Sequence, residues 1–282
     1  MSRIEAARLA LAIALACALG SGASAETVSL RYGLEAGQRW AASQTIERTT
    51  HILGESQSDR GVARFRYAIE PAPVAGHVSL VAHMLSQEMP GGKSPFDFSQ
   101  IRFLAFSDPR GTMRGVHFEI SKDAEPPDVP GIEKDPVAYR EMLRRIATAW
   151  SDSVFWLPEL PEQALTVGES FTIGDRGDVG GSDPGVAMEM TSKRTYTLNR
   201  IEGPIAHFSI RLQSTVDAAT AQSSVESEQR ALGTAAFDLD AGMWTRQETR
   251  SEHRATFQGG PGGEGVATAS TVTTIEMRRE GP

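Results

Sequence analysis

The chain has 282 residues, 28 basic against 36 acidic for a formal net charge of −8, and one cysteine. An acidic chain without a basic stripe is a poor match for nucleic acid phosphates or anionic lipid head groups. A single cysteine excludes an intramolecular disulfide and a zinc–thiolate set, and the length suffices for one large core or two packed units.

In residues 1–25, Arg3 and Arg8 precede an apolar run at 9–19, and Ala23-Ser24-Ala25 follows. This is the three-part pattern of a cleaved secretory signal, and its apolar run is far short of the roughly 20 residues of a membrane-spanning helix. Cys17 lies within the run, with Ala14 rather than Leu three residues before it. Cleavage after Ala25 is therefore favoured over lipid anchoring through Cys17. The expected product is exported to the periplasm or the cell exterior, has no cysteine, and holds 26 basic and 35 acidic residues once Arg3, Arg8 and Glu5 are set aside.

Residues 26–133 read as a first β-meander. A Thr-, Ser- and Ala-rich strand at 39–53 is followed by one in which Phe65, Tyr67 and Ile69 share a face and another in which Val78, Leu80, Ala82 and Met84 do so. This period-two pattern is that of half-buried antiparallel sheet. Proline and glycine at 70–76 and 108–111 mark the turns. Residues 134–156 change period. Asp135-Pro136 is a cap and first-turn pair, and Tyr139, Met142, Leu143, Ile146, Ala147 and Trp150 recur at helical spacing. The stripe predicts one amphipathic helix with Trp150 buried against a sheet. Residues 157–282 return to strands, at about 186–200, 223–238, 243–257 and 266–278.

The second stretch repeats the first. GQRW at 37–40 matches GESF at 168–171, YAI at 67–69 matches YTL at 196–198, GHVSL at 76–80 matches AHFSI at 206–210, and Phe106 to Gly111 matches Phe237 to Gly242. The offsets stay between 129 and 131, as expected of a tandem duplication. The expected fold is mainly β: two tandem-duplicated antiparallel β-meander units forming a curved sheet or half-barrel, with one amphipathic helix packed on it. The Gly-Gln-x-Trp strand, the Leu-Pro-x-Leu-Pro run before Val-Gly-Glu-Ser-Phe, and the late Phe-Asp-Leu-Asp-x-Gly resemble the uncharacterised bacterial envelope proteins grouped as DUF6263-like. In architecture alone the pattern is similar to half-barrels of the LolA/LppX type, which bind lipid or lipoprotein acyl chains. That resemblance implies an exported binding protein.

Motifs of nucleophilic, zinc or nucleotide chemistry are missing from the chain. His77 and His83 are six residues apart, roughly 20 Å along a strand and too far for one ion, whereas His77 and His207 occupy matching places in the two copies. They read as polar-face histidines, not as a metal pair. The Gly-rich loop holding Asp175, Asp178 and Asp183 lacks the spacing of a calcium loop and reads as a solvated loop, as does the run 258–265. From Trp244 onward one strand face reads Trp244, Arg246, Glu248, Arg250, Glu252 and Arg254, with Thr, Gln, Ser and His on the other. Strands strongly apolar on neither face suit a broad sheet with an open concave side, and exposed edge strands give nearly the same pattern. The expected function is that of an exported, non-enzymatic binding protein of the bacterial envelope holding an apolar or amphipathic ligand such as lipid. The alternative is an envelope protein–protein interaction or assembly factor, with a hydrolase third. No catalytic residue, metal ligand or cofactor is assigned, and the sequence does not single out ligand-binding residues.

Overall fold

The structure, a computed structural model, describes residues 26–52, 54–89, 92–94, 96–128, 134–151, 154–178, 187–219, 223–259 and 264–281. In chain order the first half supplies β1 (Thr27–Val28), β2 (Arg39–Ile52), β3 (Glu55–Pro71), β4 (Val78–Met89), β5 (Gly92–Lys93), β6 (Ile101–Ser107) and β7 (Met113–Ile120). Helix α1 (Pro136–Ser151) follows. The second half supplies β8 (Leu165–Thr166), β9 (Ser170–Asp178), β10 (Ala187–Glu202), β11 (Ile205–Ala219), β12 (Ser223–Asp238), β13 (Met243–Gly259) and β14 (Gly265–Arg279). The five strands read at 39–53, 186–200, 223–238, 243–257 and 266–278 are observed within two residues of those bounds, whereas β3 begins well before the alternating run at Phe65.

One antiparallel sheet runs in the order β7-β6-β4-β3-β2-β14-β13-β12-β11-β10-β9, with β5 added to β4, while β1 and β8 pair with each other. The edge strands β7 and β9 do not meet, so the sheet is open. It is nevertheless strongly curved. Strands β6 and β12 stand six places apart, about 29 Å along a flat sheet at roughly 4.8 Å per strand. Yet Tyr32 N–H donates to Pro109 O at 2.8 Å in the turn after β6, and Gly33 N–H donates to Gly242 O at 2.9 Å in the turn after β12. Two adjacent residues can reach both turns only if the sheet curls around them. The result is a half-barrel whose base is plugged by the segment between β1 and β2.

The plug gathers the core at that base, on the concave face. Trp244 sits 5.1 to 5.4 Å from the rings of Phe237, Phe208 and Tyr196, and Tyr32 is 6.0 Å from Phe237. Phe65, Tyr67, Ile69, Leu80, Ala82 and Met84 are buried as their alternation predicts. Helix α1 is entered through Asp135, whose Oδ1 accepts from Val137 N–H at 2.9 Å, and it covers β6 and β7 with Tyr139, Leu143 and Ala147 fully buried. Trp150 differs from expectation. It lies at the last turn, where the helix runs out over the sheet, and is only partly buried, its ring 5.7 Å from Phe65.

Each half contains a five-stranded meander, β2-β3-β4-β6-β7 and β9-β10-β11-β12-β13. They start alike: Gly37 and Gly168 take φ of 93° and 94°, donate to Ile69 O and Leu198 O, and precede the cross-strand pairs Trp40–Tyr67 and Phe171–Tyr196. The next hairpin departs from the sequence match. Ile69 pairs with Leu80, but Leu198 pairs with Phe208, two residues before Ile210 would fall. A second departure concerns β13. A bulge opposite Ala236 and Phe237 inserts Thr245, so Trp244 points into the core while Arg246 and the charged residues after it point outward. One extra residue flips the alternation, and Trp244 and Arg246 do not share a face. Strand β14 has no counterpart in the first meander and joins the two halves by pairing with β2.

Candidate functional site

Beyond the base, the long strands leave the helix behind and form a trough. Register places Ile46, Arg48 and Thr50 of β2 beside Thr273, Thr271 and Ala269 of β14, and next to these Thr249, Ser251 and His253 of β13. Along β11 to β14 these concave positions are partly covered or buried and mostly small, whereas the alternate, outward positions are largely exposed. The outward rows are charged. They include the pairs Arg230–Glu228 at 2.6 Å and Arg246–Glu248 at 3.1 Å, and an open groove of about 540 Å³ lined by His51, Arg230, Glu252 and Arg254.

Where trough meets core, a cleft of about 370 Å³ opens beneath Trp150, lined by Gln44, Ile46, Arg48, Asp59, Gly61 and Ala63 among others. Cross-strand pairing explains the shape: Ile46 lies opposite Gly61 and Gln44 opposite Ala63, so small residues on β3 leave room under the indole. Arg48 is paired with Asp59 at 3.6 Å, which neutralises the cationic end. Gln44 is 9% exposed, and its Oε1 has no hydrogen-bond partner among the described residues. Its flanking neighbours on the same face are Ala42, Ile46, Ala63 and Ile275, none of which carries a side-chain donor. An unpaired buried carbonyl of this kind costs about 1–3 kcal/mol.

One hydroxyl–imidazole pair lies on the concave face, with Ser227 Oγ 2.7 Å from His253 Nε2. The positions around His253 on that face are Gln229, Ala269, Ser251 and Ala255. None is an acid that would orient the imidazole for nucleophilic work. The contact joins two strands. His77 and His207 are not equivalent: His77 is in the turn before β4, its Nδ1 3.2 Å from Ala75 O, while His207 is on β11, 3.2 Å from Glu202. Five strands separate β4 from β11. Among the described residues no three His, Cys, Asp or Glu side chains gather where one ion could be held. Asp175 and Asp178 fall at the end of β9, and Asp183 lies outside the described residues, as do residues 260–263 of the last hairpin loop.

His83 on β4 is half-buried, and burial, then Arg102 and Arg66, lower its pKa below 6.5, with Glu70 opposing. A histidine held neutral by the fold contributes stability that is full above its unfolded pKa and is lost as pH falls through the folded one. Thermal unfolding measured between pH 7 and 5 is therefore expected to show a smaller acid-side loss of Tm in His83→Gln than in the parent. An equal loss would assign the acid sensitivity elsewhere.

No family model matches the chain, and no curated protein does. Solved structures similar to it include the β domain of the Bordetella autotransporter BrkA, at 10% identity and TM-score 0.34, covering 86% of this chain and 99% of that one. A mutant porin of Rhodopseudomonas blastica is 8% identical with TM-score 0.25, covering 84% and 99%, and Pseudomonas aeruginosa OccK5 is 6% identical with TM-score 0.24, covering 89% and 100%. These scores are too low to define a shared fold. Among the described residues no helix is long and apolar enough to cross a membrane. A spanning barrel turns an apolar band outward, and the outward rows here carry Glu228, Arg230, Arg246, Glu248, Arg250 and Glu252 instead.

Proposed function

We propose that the chain is an exported, non-enzymatic binding protein of the bacterial envelope, a duplicated β-meander that holds an apolar or amphipathic small molecule, such as a lipid, in its trough. The contrast between the faces carries this reading. The outward positions are charged and suit water, while the concave positions beyond α1 are mostly small, hydroxyl-bearing or apolar, with Arg48, Asp59, Gln229 and His253 among them, and no element covers them among the described residues; Ile52 and Phe257 at the far rim are 51% and 40% exposed. Covering such a surface is favourable by about 25 cal/mol per Å² of apolar area. Residues 1–25 support export, and the shared strand order and entry turns of the halves support duplication.

The test is organic extraction and mass spectrometry of protein purified without detergent, with thermal unfolding in rising dodecyl maltoside. A stoichiometric amphiphile in the extract and a Tm that climbs with detergent by mass action are expected, and EDTA should leave Tm unchanged. An empty extract with no Tm response would sink the reading. One observation favours the alternative of a protein-docking factor: among the described residues β7 and β9 each pair on one side only, and an added strand could extend either edge.

Trp150 separates a structural from a binding role. Because it is only partly buried, Trp150→Ala is expected to cost about 1–2 kcal/mol, below the 3–5 typical of fully buried aromatics, and to weaken amphiphile binding. Urea unfolding checks the first. A loss above about 4 kcal/mol would make the side chain a core element.

A further inference from the structure

The cleft beneath Trp150 has one polar feature that the fold leaves unanswered. Gln44 is nine-tenths buried, lines the cleft, and presents a carbonyl oxygen without a partner among the described residues. Its concave-face neighbours, Ala42 and Ile46 along β2, Ala63 on β3 and Ile275 on β14, have no side-chain donor to offer. Buried carbonyls in folded proteins are ordinarily paired, and the cleft gives an entering group access to this one. Arg48, the cation nearest in sequence on the same face, is engaged with Asp59 at 3.6 Å, so the cleft presents a neutralised pair to an incoming anion.

We infer that the ligand is a neutral hydroxylated amphiphile, whose O–H donates to Gln44 Oε1 while its apolar chain passes Ile46 under Trp150 and out along the trough. This rests on the trough being the binding surface. A hydroxyl suits the site whichever way the amide is turned, since it both donates and accepts. With Oε1 facing the cleft a fatty-acid anion does not suit it, because its carboxylate only accepts and finds no unpaired cation in this cluster.

The experiment is isothermal titration of the full chain with 1-decanol, with its isomer methyl nonyl ether, and with decanoate at pH 7.5. The ether has the same atoms as the alcohol but no O–H. The parent should bind decanol about tenfold more tightly than the ether or decanoate, the scale set by satisfying one buried acceptor. In Gln44→Leu the alcohol and the ether should bind alike, and the variant should be at least as stable as the parent because an unpaired carbonyl has been removed. Gln44→Met serves the same purpose if the branched side chain fails to pack. Equal affinity of alcohol and ether in the parent, or decanoate binding as tightly as decanol, would overturn the assignment while leaving the trough reading intact. Failure of all three probes to bind would remove both.

Discussion

Gly242→Ala is expected to be among the most damaging single substitutions in the chain, at about 3–5 kcal/mol, although it adds one methyl group. Gly242 adopts φ of 59°, and a Cβ there would come within 2.2 Å of Gly33 N, 2.7 Å of Gly33 Cα and 2.9 Å of Arg31 O. All three are backbone atoms of the plug, so no flexible side-chain end can swing aside. The left-handed conformation costs about 1–3 kcal/mol for a residue with a side chain, and forced backbone displacement in a packed site adds about 1–3 more. Relief would require breaking the Gly33 N–H to Gly242 O bond, the contact that holds the second-half turn to the plug. Gly37 provides the control: it has φ of 93° but nothing lies within 4 Å of the place a Cβ would occupy, so Gly37→Ala should show the conformational part alone. Urea unfolding midpoints at constant slope would compare them. Equal losses would mean that the plug yields and that the base is not tightly closed.

The same contact shows where sequence reading succeeds and where it stops. Strands and the helix are legible because their signals are local: Phe65, Tyr67 and Ile69 alternate, Tyr139, Leu143 and Ala147 recur at helical spacing, and Gly37 and Gly168 begin matching runs. The plug is not. Residues 29–36 form no regular element, and what they do depends on turns some 75 and 210 residues away. Bulges are equally hidden, since one inserted residue leaves composition unchanged but reverses the faces, which is why simple alternation puts Trp244 with Arg246 when the two point in opposite directions. Matching His77 to His207 fails for a related reason. The short pattern Gly or Ala, His, apolar, Ser, apolar fits both hairpins, but pairing with β3 and β10 sets their registers two residues apart. The openness of the trough is visible in the Thr, Ser and Ala content of its strands. Gln44 is not visible as a site, because its burial and lack of a partner come from neighbours on β3 and β14 that no local pattern brings next to it.

Tyr32→Phe is expected to cost about 2–4 kcal/mol, and the loss of a single oxygen is informative because that oxygen joins three distant segments. The buried Tyr32 hydroxyl donates to Pro158 O at 2.9 Å and accepts from Trp244 Nε1–H at 2.9 Å. It thus ties the plug to the linker after α1 and to β13, and burial holds the phenol well above its ordinary pKa, so it stays protonated as the donor role requires. Removing it leaves an indole N–H and a carbonyl unpaired in a site that is 4% exposed. Each such orphan costs about 1–3 kcal/mol, and neither can turn to solvent without moving the aromatic cluster of Tyr196, Phe208 and Phe237. In a chain of this size the expected loss corresponds to a Tm lower by roughly 5–15 °C. Tyr67→Phe is the internal comparison, because the Tyr67 hydroxyl makes one bond, to Val154 O at 2.6 Å, and strands one partner rather than two. Calorimetry of both variants should therefore show about twice the loss for Tyr32. If the losses are equal, the indole N–H has found water, the base of the half-barrel admits solvent, and the segment between β1 and β2 is a cover resting on the sheet, not the plug around which it curls.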